Sequence, residues 1–178
     1  MRMDAGLDTG AVLTAVPIAI APDDTAGTLH DRLAELGARM IVDSLGRLVA
    51  GQLQPTPQDD TLATYAPKIG RAEAAVAWTN PAVVIERQVR AFDPVPGAHA
   101  RFNGSPMKIW RASAVEGSVD ASPGTVLSAT REGVDVACGG NSTLRIRELQ
   151  RAGGKRLAAL DFLRGHAITA GDRIENGA

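Results

Sequence analysis

The amino-acid sequence predicts a chain of class α/β plus β, in which an α/β unit, a linker and a small all-β unit follow one another. Residues 10–20 are apolar and partly alternating, and a long amphipathic helical pattern comes after them. Residues 52–70 contain proline and show no helical period, which is typical of a linker. From residue 71 onward, short apolar runs lie at close spacing between turn residues, as in a small barrel or sandwich.

The predicted front unit covers residues 1–51 and begins with a strand over residues 10–20. Pro17 lacks an N–H donor, so this strand is expected at a sheet edge or at a bulge. A helix over residues 25–50 is predicted next, because apolar side chains recur at helical spacing from Leu29 onward.

The ends of this helix carry their own signals. Asp23, Asp24 and Thr25 offer side chains of the type that caps a helix N-terminus. Gly51 is expected to end the helix. Gly37 lies inside the pattern, where a glycine is expected to kink or split it.

The second predicted unit covers residues 71–178, after a linker over residues 52–70. It opens with a helix that starts at Pro81, since proline is favoured at the first helical position, and runs to about Phe92. An Asn-Gly pair at Asn103 indicates a tight hairpin. The predicted strands are residues 99–102, 107–115, 125–130, 134–138 and 143–149, and a short closing helix is predicted over residues 157–164.

Charge is distributed unevenly along the chain, although the net charge is only −1. Residues 1–60 carry nine acids and four bases, whereas residues 61–178 carry eleven acids and fifteen bases. The balances are therefore −5 and +4. Such an asymmetry is typical of a protein with a nucleic-acid-facing half, and ordinary solvated faces are the alternative interpretation.

The composition argues against several classes of protein. With 44% hydrophobic and 22% charged residues, the chain is of the globular rather than the disordered type. No run approaches the ~20 apolar residues of a membrane helix, and the N-terminus lacks the apolar run of a signal peptide. Cys138 is the single cysteine, so no internal disulfide is expected. His30, His99 and His166 lack metal-ligand spacing, and 3% aromatic residues argue against stacked aromatic platforms.

Seven sequence blocks resemble one known family in their order and spacing. They are DAGLDTG at residues 4–10, DTAGTL at 24–29, LAELGA at 33–38, TYAPKI at 64–69, RAFDPVPGA at 90–98, KIWRA at 108–112 and PGTV at 123–126. Together they are similar to the methionyl-tRNA formyltransferase family over nearly the whole chain. The resemblance implies the tail end of a Rossmann-like formyltransferase domain, followed by a small oligonucleotide-fold-like β-barrel.

The resemblance also implies an activity, its substrates and its setting. The family transfers a formyl group from 10-formyltetrahydrofolate, the donor substrate, to the amino group of methionyl-initiator tRNA, without a metal. In the family, the folate-holding loop and the catalytic Asn and His lie upstream of the segment present here. The chain is therefore expected to be a fragment that is inactive alone. A cytoplasmic monomer without membrane association is expected.

Asp8 is the catalytic residue that the resemblance implies. The corresponding aspartate lies beside the histidine and orients its imidazole while the methionyl amine attacks the formyl carbon. On pattern alone, an Asx-turn residue in a glycine-rich loop is the better explanation of Asp8, and only the resemblance favours the catalytic role. Asp4 is expected to cap the same turn, and Gly6 and Gly10 are expected where a side chain would block the backbone.

The residues expected to contact tRNA are Lys68, Arg71 and Arg90. The resemblance implies that the basic segment between linker and barrel lies near the acceptor stem, where phosphate contacts position the RNA without reading its sequence. Ordinary surface charge is the alternative for each of them. A wider set of bases is a candidate for a positive face, although salt bridges and solvated charge are the better explanation of most of them. The set is Arg87, Arg90, Arg101, Lys108, Arg111, Arg145, Arg147, Arg151, Lys155 and Arg156.

Two other functions remain open at this point. One is a formyltransferase built on the same modules that acts on an amino-sugar nucleotide. The other is an RNA-binding barrel without catalysis, which the +4 balance of residues 61–178 favours. Trp78 and Trp110 are expected in the core, and Cys138 is expected to be a buried apolar residue and not a nucleophile.

The front unit is expected to be the less stable part of the chain, because its strand and helix have apolar faces that need further partners. We therefore predict that amide hydrogens of residues 1–50 exchange much faster than those of residues 75–165. Hydrogen–deuterium exchange with mass spectrometry measures both segments in one experiment. Equal protection of the two segments would contradict this expectation.

Overall fold

The structure, a computed structural model, describes residues 1–177 and divides them into two compact units. The front unit consists of Met1–Asp24 and Thr28–Lys68. The second unit consists of Thr25–Gly27 and the described chain from Ile69 onward. Each unit is described by itself.

The front unit contains one long helix, α1, Ala26–Val49. Its N-terminal end is anchored by Asp24, whose carboxylate accepts a hydrogen bond from the Ala21 N–H at 2.7 Å and pairs with Arg32. The expected split at Gly37 is wrong, because the helix is continuous through this position. One glycine costs only about 1 kcal/mol in a helix interior, which a helix of 24 residues tolerates.

The strand predicted over residues 10–20 is also wrong. These residues form no strand, and they pair with another segment only at Val12. Val12 and Thr56 exchange two backbone N–H to carbonyl hydrogen bonds, of 2.8 and 2.9 Å. A strand exists only where a neighbour supplies hydrogen bonds along its length. Within the described chain, Thr56 supplies them at one position only, so the Rossmann-like tail stays a prediction of the resemblance.

The apolar face of α1 is uncovered within the described chain. No residue of the helix is buried, and Leu33, Ile41 and Leu45 are each about half exposed. The apolar spacing predicted the helix correctly, because apolar residues at helical spacing form one stripe along a helix. Downstream, the linker contains one short 3-10 turn, Asp60–Leu62, capped by the Asp59 carboxylate.

The second unit begins with a 3-10 turn, Arg71–Ala74, and a helix, α2, Ala82–Ala91. The helix starts one residue after Pro81 and buries Ala82, Ile85 and Val89. The strands are β1 Ala98–Phe102, β2 Ser105–Val115, β3 Val126–Thr130, β4 Gly133–Cys138, β5 Ser142–Arg151, β6 Leu157–Ala158 and β7 Ile174–Glu175, and the last helix is α3, Ala159–Gly165.

The strands form one antiparallel sheet in the order β3-β4-β5-β2-β1-β7, with β6 paired to β5. The sheet curls until its two ends meet. Two hydrogen bonds join these ends: the Ile174 N–H donates to the Gly124 carbonyl and the Val126 N–H to the Asp172 carbonyl, both at 2.8 Å. This curled sheet agrees with the small barrel that the strand spacing predicts. Its kinship with oligonucleotide folds stays a prediction.

The hairpin between β1 and β2 confirms the Asn-Gly signal. Asn103 and Gly104 both have positive φ angles, 49° and 71°, and Phe102 pairs with Ser105 across the turn. Such a two-residue turn follows the right-handed twist of the flanking strands. The turn therefore sets the register of the whole hairpin, down to Ala98 opposite Ile109.

One hydrophobic cluster fills the interior of the second unit. Ile109 of β2 and Ile146 and Leu149 of β5 are fully buried, and α2 and α3 cover the sheet with Ile85 and Phe162. Trp78 belongs to the same cluster, as expected, and its Nε1 donates to the Glu175 carbonyl at 3.2 Å.

Replacing Ile146 with alanine tests this core. Ile146 is fully buried, so Ile146→Ala removes packed methyl groups and is expected to lower the free energy of unfolding by about 2–5 kcal/mol. Ile69→Ala is the matched control at a position that is 54% exposed, and its expected effect is below about 1 kcal/mol. Urea unfolding followed by circular dichroism measures both. Equal effects would contradict the assignment of Ile146 to the core.

Candidate functional site

The glycine-rich segment at the N-terminus forms a closed loop in the front unit. The Arg2 N–H donates to the Ala11 carbonyl at 2.9 Å and closes the loop at its base. Gln58 clamps it from the side, because its Nε2 donates to the carbonyls of Asp8 and Gly10, both at 2.7 Å. The sequence analysis missed Gln58, which lies 48 residues from Gly10 and belongs to no local motif.

Asp8 lies exposed at the tip of this loop with a positive φ of 56°. Within the described chain its carboxylate makes no hydrogen bond, whereas the Asp4 carboxylate accepts the Ala5 N–H at 2.7 Å. The local turn role thus fits Asp4, as expected, and not Asp8. Gly10 is buried where a side chain would overlap the Arg2 carbonyl oxygen, which agrees with the close approach expected there.

The arrangement at Asp8 has limited chemistry of its own. An exposed carboxylate on a clamped loop can accept a hydrogen bond and orient a donor such as an imidazole. Among residues 1–177, no histidine or nucleophilic side chain is hydrogen-bonded to it. The catalytic role of Asp8 therefore stays a prediction that rests on the resemblance.

The three bases expected to contact tRNA occupy different elements. Lys68 is exposed and ends the front unit. Arg71 is exposed and opens the 3-10 turn of the second unit, while Arg90 lies half-buried on α2. Arg71 lines a pocket of about 760 Å³, and Arg90 is not among its lining residues.

This pocket, called here the cationic pocket, lies in the second unit between the Arg71 turn, β1, β2 and the end of β5. Its lining contains three cationic side chains, one histidine and one glutamine, and no carboxylate. The lining residues are Arg71, Ala72, Pro96, His99, Pro106, Met107, Lys108, Gln150, Arg151, Ala152 and Gly153.

The sheet register places part of this lining in one row. His99 of β1 lies opposite Lys108 of β2, and Lys108 lies opposite Gln150 of β5. The Val76 N–H donates to the His99 carbonyl at 2.8 Å, which fixes the chain that follows the Arg71 turn beside β1. This part of the lining is therefore built on strands, which hold side chains more precisely than loops do.

The turn that carries Arg71 is further anchored to α2. Gln88 donates from Nε2 to the carbonyls of Glu73 and Ala75, at 2.8 and 3.0 Å. The Glu73 side chain in turn accepts the Gly70 N–H at 2.6 Å. Arg71 thus projects from a backbone segment that is held at both of its ends.

Trp110 lies beside the pocket, in a bulge of β2 between Ile109 and Arg111. It is buried, as expected, but outside the main cluster and beneath two cations. The Lys108 ammonium and the Arg156 guanidinium each lie 5.1 Å from its ring centroid. Such cation–π contacts contribute about 0.5–2 kcal/mol each. Its Nε1 donates to the Gln150 side chain at 2.8 Å, so the indole also orients that residue.

Arg156 links this indole to two carboxylates. It donates to Asp93 at 3.2 and 3.3 Å and to Glu148 at 2.5 Å. Asp93 is only 8% exposed, so its charge depends on this partner. Arg156 is therefore a structural cation, and not a free contact for a phosphate.

Arg145 is likewise engaged by acids. It donates to Asp135 at 2.7 and 2.8 Å and to Glu132 at 3.2 Å. The hydrogen bonds from Arg145 hold the pKa of the Asp135 carboxyl below its usual value. Arg147, two residues along β5, donates to the Ser113 hydroxyl at 3.3 Å instead. Of the wider set of expected bases, Arg145 and Arg156 are thus engaged by carboxylates, whereas Arg147 donates to a hydroxyl.

Three further findings for the described residues concern the single thiol, metal sites and membrane-spanning helices. Burial raises the pKa of the Cys138 thiol to about 11, which agrees with a buried apolar residue. Among residues 1–177, no group of three or more His, Cys, Asp or Glu side chains is arranged to hold a metal ion. No helix within the same range is long and apolar enough to cross a membrane.

The comparisons with known proteins place the chain in a formyl transferase family. The family described as formyl transferase, C-terminal domain, matches residues 68–167, and the chain belongs to this family. A relative from Burkholderia multivorans, described as methionyl-tRNA formyltransferase, is 56% identical over 98% of this chain and 53% of its own length. A second relative with this description, from Paraburkholderia phymatum, is 53% identical over 98% of this chain and 54% of its own. The chain thus spans about half the length of these curated relatives.

Solved structures show the same fold. A variant of HypX from Aquifex aeolicus matches 90% of this chain and 29% of its own, with a TM-score of 0.66 and 21% identity. HypX from the same organism, in complex with tetrahydrofolic acid, matches 69% of this chain and 22% of its own, with a TM-score of 0.54 and 23% identity.

The dependence of Asp93 on Arg156 gives a stability prediction. Arg156→Leu leaves the buried Asp93 carboxylate without its cation and removes one cation from Trp110. We expect a loss of about 1–3 kcal/mol in the free energy of unfolding, at the low end of the range for buried pairs because Arg156 is partly exposed. Chemical unfolding at pH 7 measures this loss.

Arg164→Leu is the matched control for this prediction. It breaks a pair with Asp161 in which both side chains are exposed, and the expected effect is below about 0.5 kcal/mol. Should Arg156→Leu cost no more than Arg164→Leu, Arg156 would not be a structural cation.

Proposed function

We propose that this chain acts in the transfer of a formyl group from 10-formyltetrahydrofolate to the amino group of methionyl-initiator tRNA, as part of a methionyl-tRNA formyltransferase. The observation that carries the proposal is the 56% identity to a relative of that description over 98% of the chain. Since the chain spans 53% of that relative, the donor-binding groups are assigned to the rest of the enzyme, and none to this chain.

Asp8 is the residue through which this chain takes part in the chemistry. The methionyl amine must lose a proton, the tetrahedral oxyanion must be stabilised, and the folate nitrogen must leave with a proton. The Asp8 carboxylate accepts a hydrogen bond from an imidazole supplied by the rest of the enzyme, which fixes the tautomer and raises the basicity of that ring. The clamp from Gln58 supports this role, because it holds the Asp8 backbone in place without using the carboxylate.

The chain contacts the tRNA through three of its bases. Lys68 and Arg71 are exposed, and together with Arg90 they approach phosphates of the acceptor stem. A protein that neutralises phosphates in this way binds RNA less tightly as salt rises. No metal takes part, and the protein works as a monomer in the cytoplasm.

A chimera tests the proposal most directly. The 178-residue chain replaces the corresponding part of the Burkholderia multivorans relative, and formylation of methionyl-initiator tRNA is measured with 10-formyltetrahydrofolate. We expect the chimera to be active.

We expect Asp8→Asn to lower kcat about 10²–10⁴-fold, the range of general acid–base contributions. The neutral amide holds the imidazole less strongly than a carboxylate does, and it does not stabilise the protonated ring.

Asp4→Asn is the matched control on the same loop, since the Asp4 carboxylate is engaged in the turn. Its kcat is expected to stay within a few-fold of the parent chimera. A folded chimera that formylates an amino-sugar nucleotide but not methionyl-tRNA would replace the proposed acceptor. A folded chimera that binds tRNA and formylates neither acceptor would leave RNA binding without catalysis as the function.

A further inference from the structure

We propose that the cationic pocket binds one unpaired nucleotide of the RNA partner, with the phosphate on Arg71, Lys108 and Arg151 and the nucleoside over the apolar floor. The identity of the RNA rests on the proposed function, whereas the pocket chemistry does not.

The charge of the pocket is the first reason. In the described chain, carboxylates engage Arg145, Arg156 and Arg164 at 2.5–2.8 Å. No such pair involves Arg71 or Arg151, although both are exposed. Cations that lack acidic partners and line one concavity attract an anion strongly, because the local field is not neutralised.

Lys108 keeps protons available for the same anion. Its ammonium donates one proton to the Pro96 carbonyl at 2.9 Å, and an ammonium carries three. The contact with Pro96 and the neighbouring Trp110 ring fix the position of the charge. A placed ammonium that lines the same pocket as two arginines is suited to a phosphate, which offers several acceptor oxygens.

The floor of the pocket is the second reason. Apolar side chains from three separate segments line it, among them Ala72, Pro106 and Met107. A site for inorganic phosphate alone needs no such surface. The volume of about 760 Å³ lies within the range of sites that enclose small organic ligands. A nucleoside monophosphate combines an anionic group with a flat, weakly polar body of this class.

The concave shape selects an unpaired nucleotide. In an RNA duplex the bases are stacked inside, so only phosphates and ribose reach a protein surface at this depth. An unstacked nucleotide can place its base on the floor while its phosphate meets the cations. Duplex RNA is therefore expected to stay outside the pocket and to depend less on its cations.

The polar lining indicates little discrimination between bases. Gln150 is the amide in the pocket, and its oxygen accepts from Trp110 while its nitrogen donates to the Gly154 carbonyl, both at 2.8 Å. A side chain held at both ends cannot turn to read different base edges. Recognition thus depends on phosphate charge and apolar contact, which all four nucleotides provide.

Binding of short RNA to the complete 178-residue chain tests the inference. The probes are a labelled single-stranded RNA hexamer of mixed sequence and the same hexamer in a blunt duplex, at fixed salt. Arg71→Ala and Arg151→Ala are each expected to weaken single-strand binding about tenfold, as for a lost charge-assisted hydrogen bond. Duplex binding is expected to weaken less than threefold.

Arg131→Ala is the matched control, an exposed arginine on the turn between β3 and β4 that does not line the pocket. Its expected effect is below twofold. Ala72→Glu places a carboxylate in the pocket at an exposed position, and it is expected to reduce single-strand binding at least tenfold. Thermal midpoints of all variants verify that each one is folded.

Competition identifies the ligand chemistry. Adenosine 5′-monophosphate and uridine 5′-monophosphate are expected to displace the hexamer with similar potency. Inorganic phosphate is expected to displace the hexamer at least tenfold less potently than these nucleotides. Unphosphorylated adenosine is also expected to be at least tenfold less potent. Equal potency of inorganic phosphate and the nucleotides would overturn the assignment of the floor.

The failure of this inference and that of the proposed function are distinguishable. If Arg71→Ala and Arg151→Ala match Arg131→Ala while the parent chimera formylates methionyl-tRNA, the pocket assignment falls and the proposed transfer reaction stands. If the pocket variants lose single-strand binding while the chimera is inactive on methionyl-tRNA, the pocket assignment stands and the proposed function falls.

Discussion

The antiparallel pairing of β2 with β5 is the constraint on which the second unit depends. These are its longest strands, with 11 and 10 residues, and they lie side by side inside the sheet, so that β1 and β4 each pair with one of them. Because side chains alternate along a strand, one face of the pair carries Ile109 and Leu149 into the core. The other face carries Lys108 and Gln150 to the cationic pocket. Core and pocket therefore share one register, and a slip of one residue would disrupt both.

The bulge in β2 connects this register to the electrostatics. It inserts Trp110 between the paired residues Ile109 and Arg111. The indole is covered by Lys108 and Arg156, and Arg156 is held by Asp93 and Glu148. A bulge bends its strand and redirects a side chain. Here it places an aromatic ring where it fixes two cations, one for the pocket and one for the fold.

The front unit has a different character. Its clamped loop holds Asp8 in one backbone conformation, yet the Asp8 carboxylate has no partner among the described residues. Its helix α1 has an apolar face with no buried residue. The relatives are about twice as long as the segment they share with this chain. An unpaired carboxylate and an uncovered apolar face are the features expected of a unit that works together with further protein.

Local signals in the sequence were enough to predict many of the secondary-structure elements of the fold. The Asn-Gly turn at Asn103, the helix after Pro81 and the main strands all depend on residues close to each other in the chain. The family followed from short blocks of sequence in a characteristic order. The tertiary structure alone decided the features that need distant partners: the absence of a strand over residues 10–20, the two-residue strands β6 and β7, the clamp by Gln58, and the pocket that gathers Arg71, Lys108 and Arg151. The physical reason is that backbone conformation depends mainly on near neighbours, whereas strand pairing, burial and charge neutralisation depend on what the rest of the chain brings alongside.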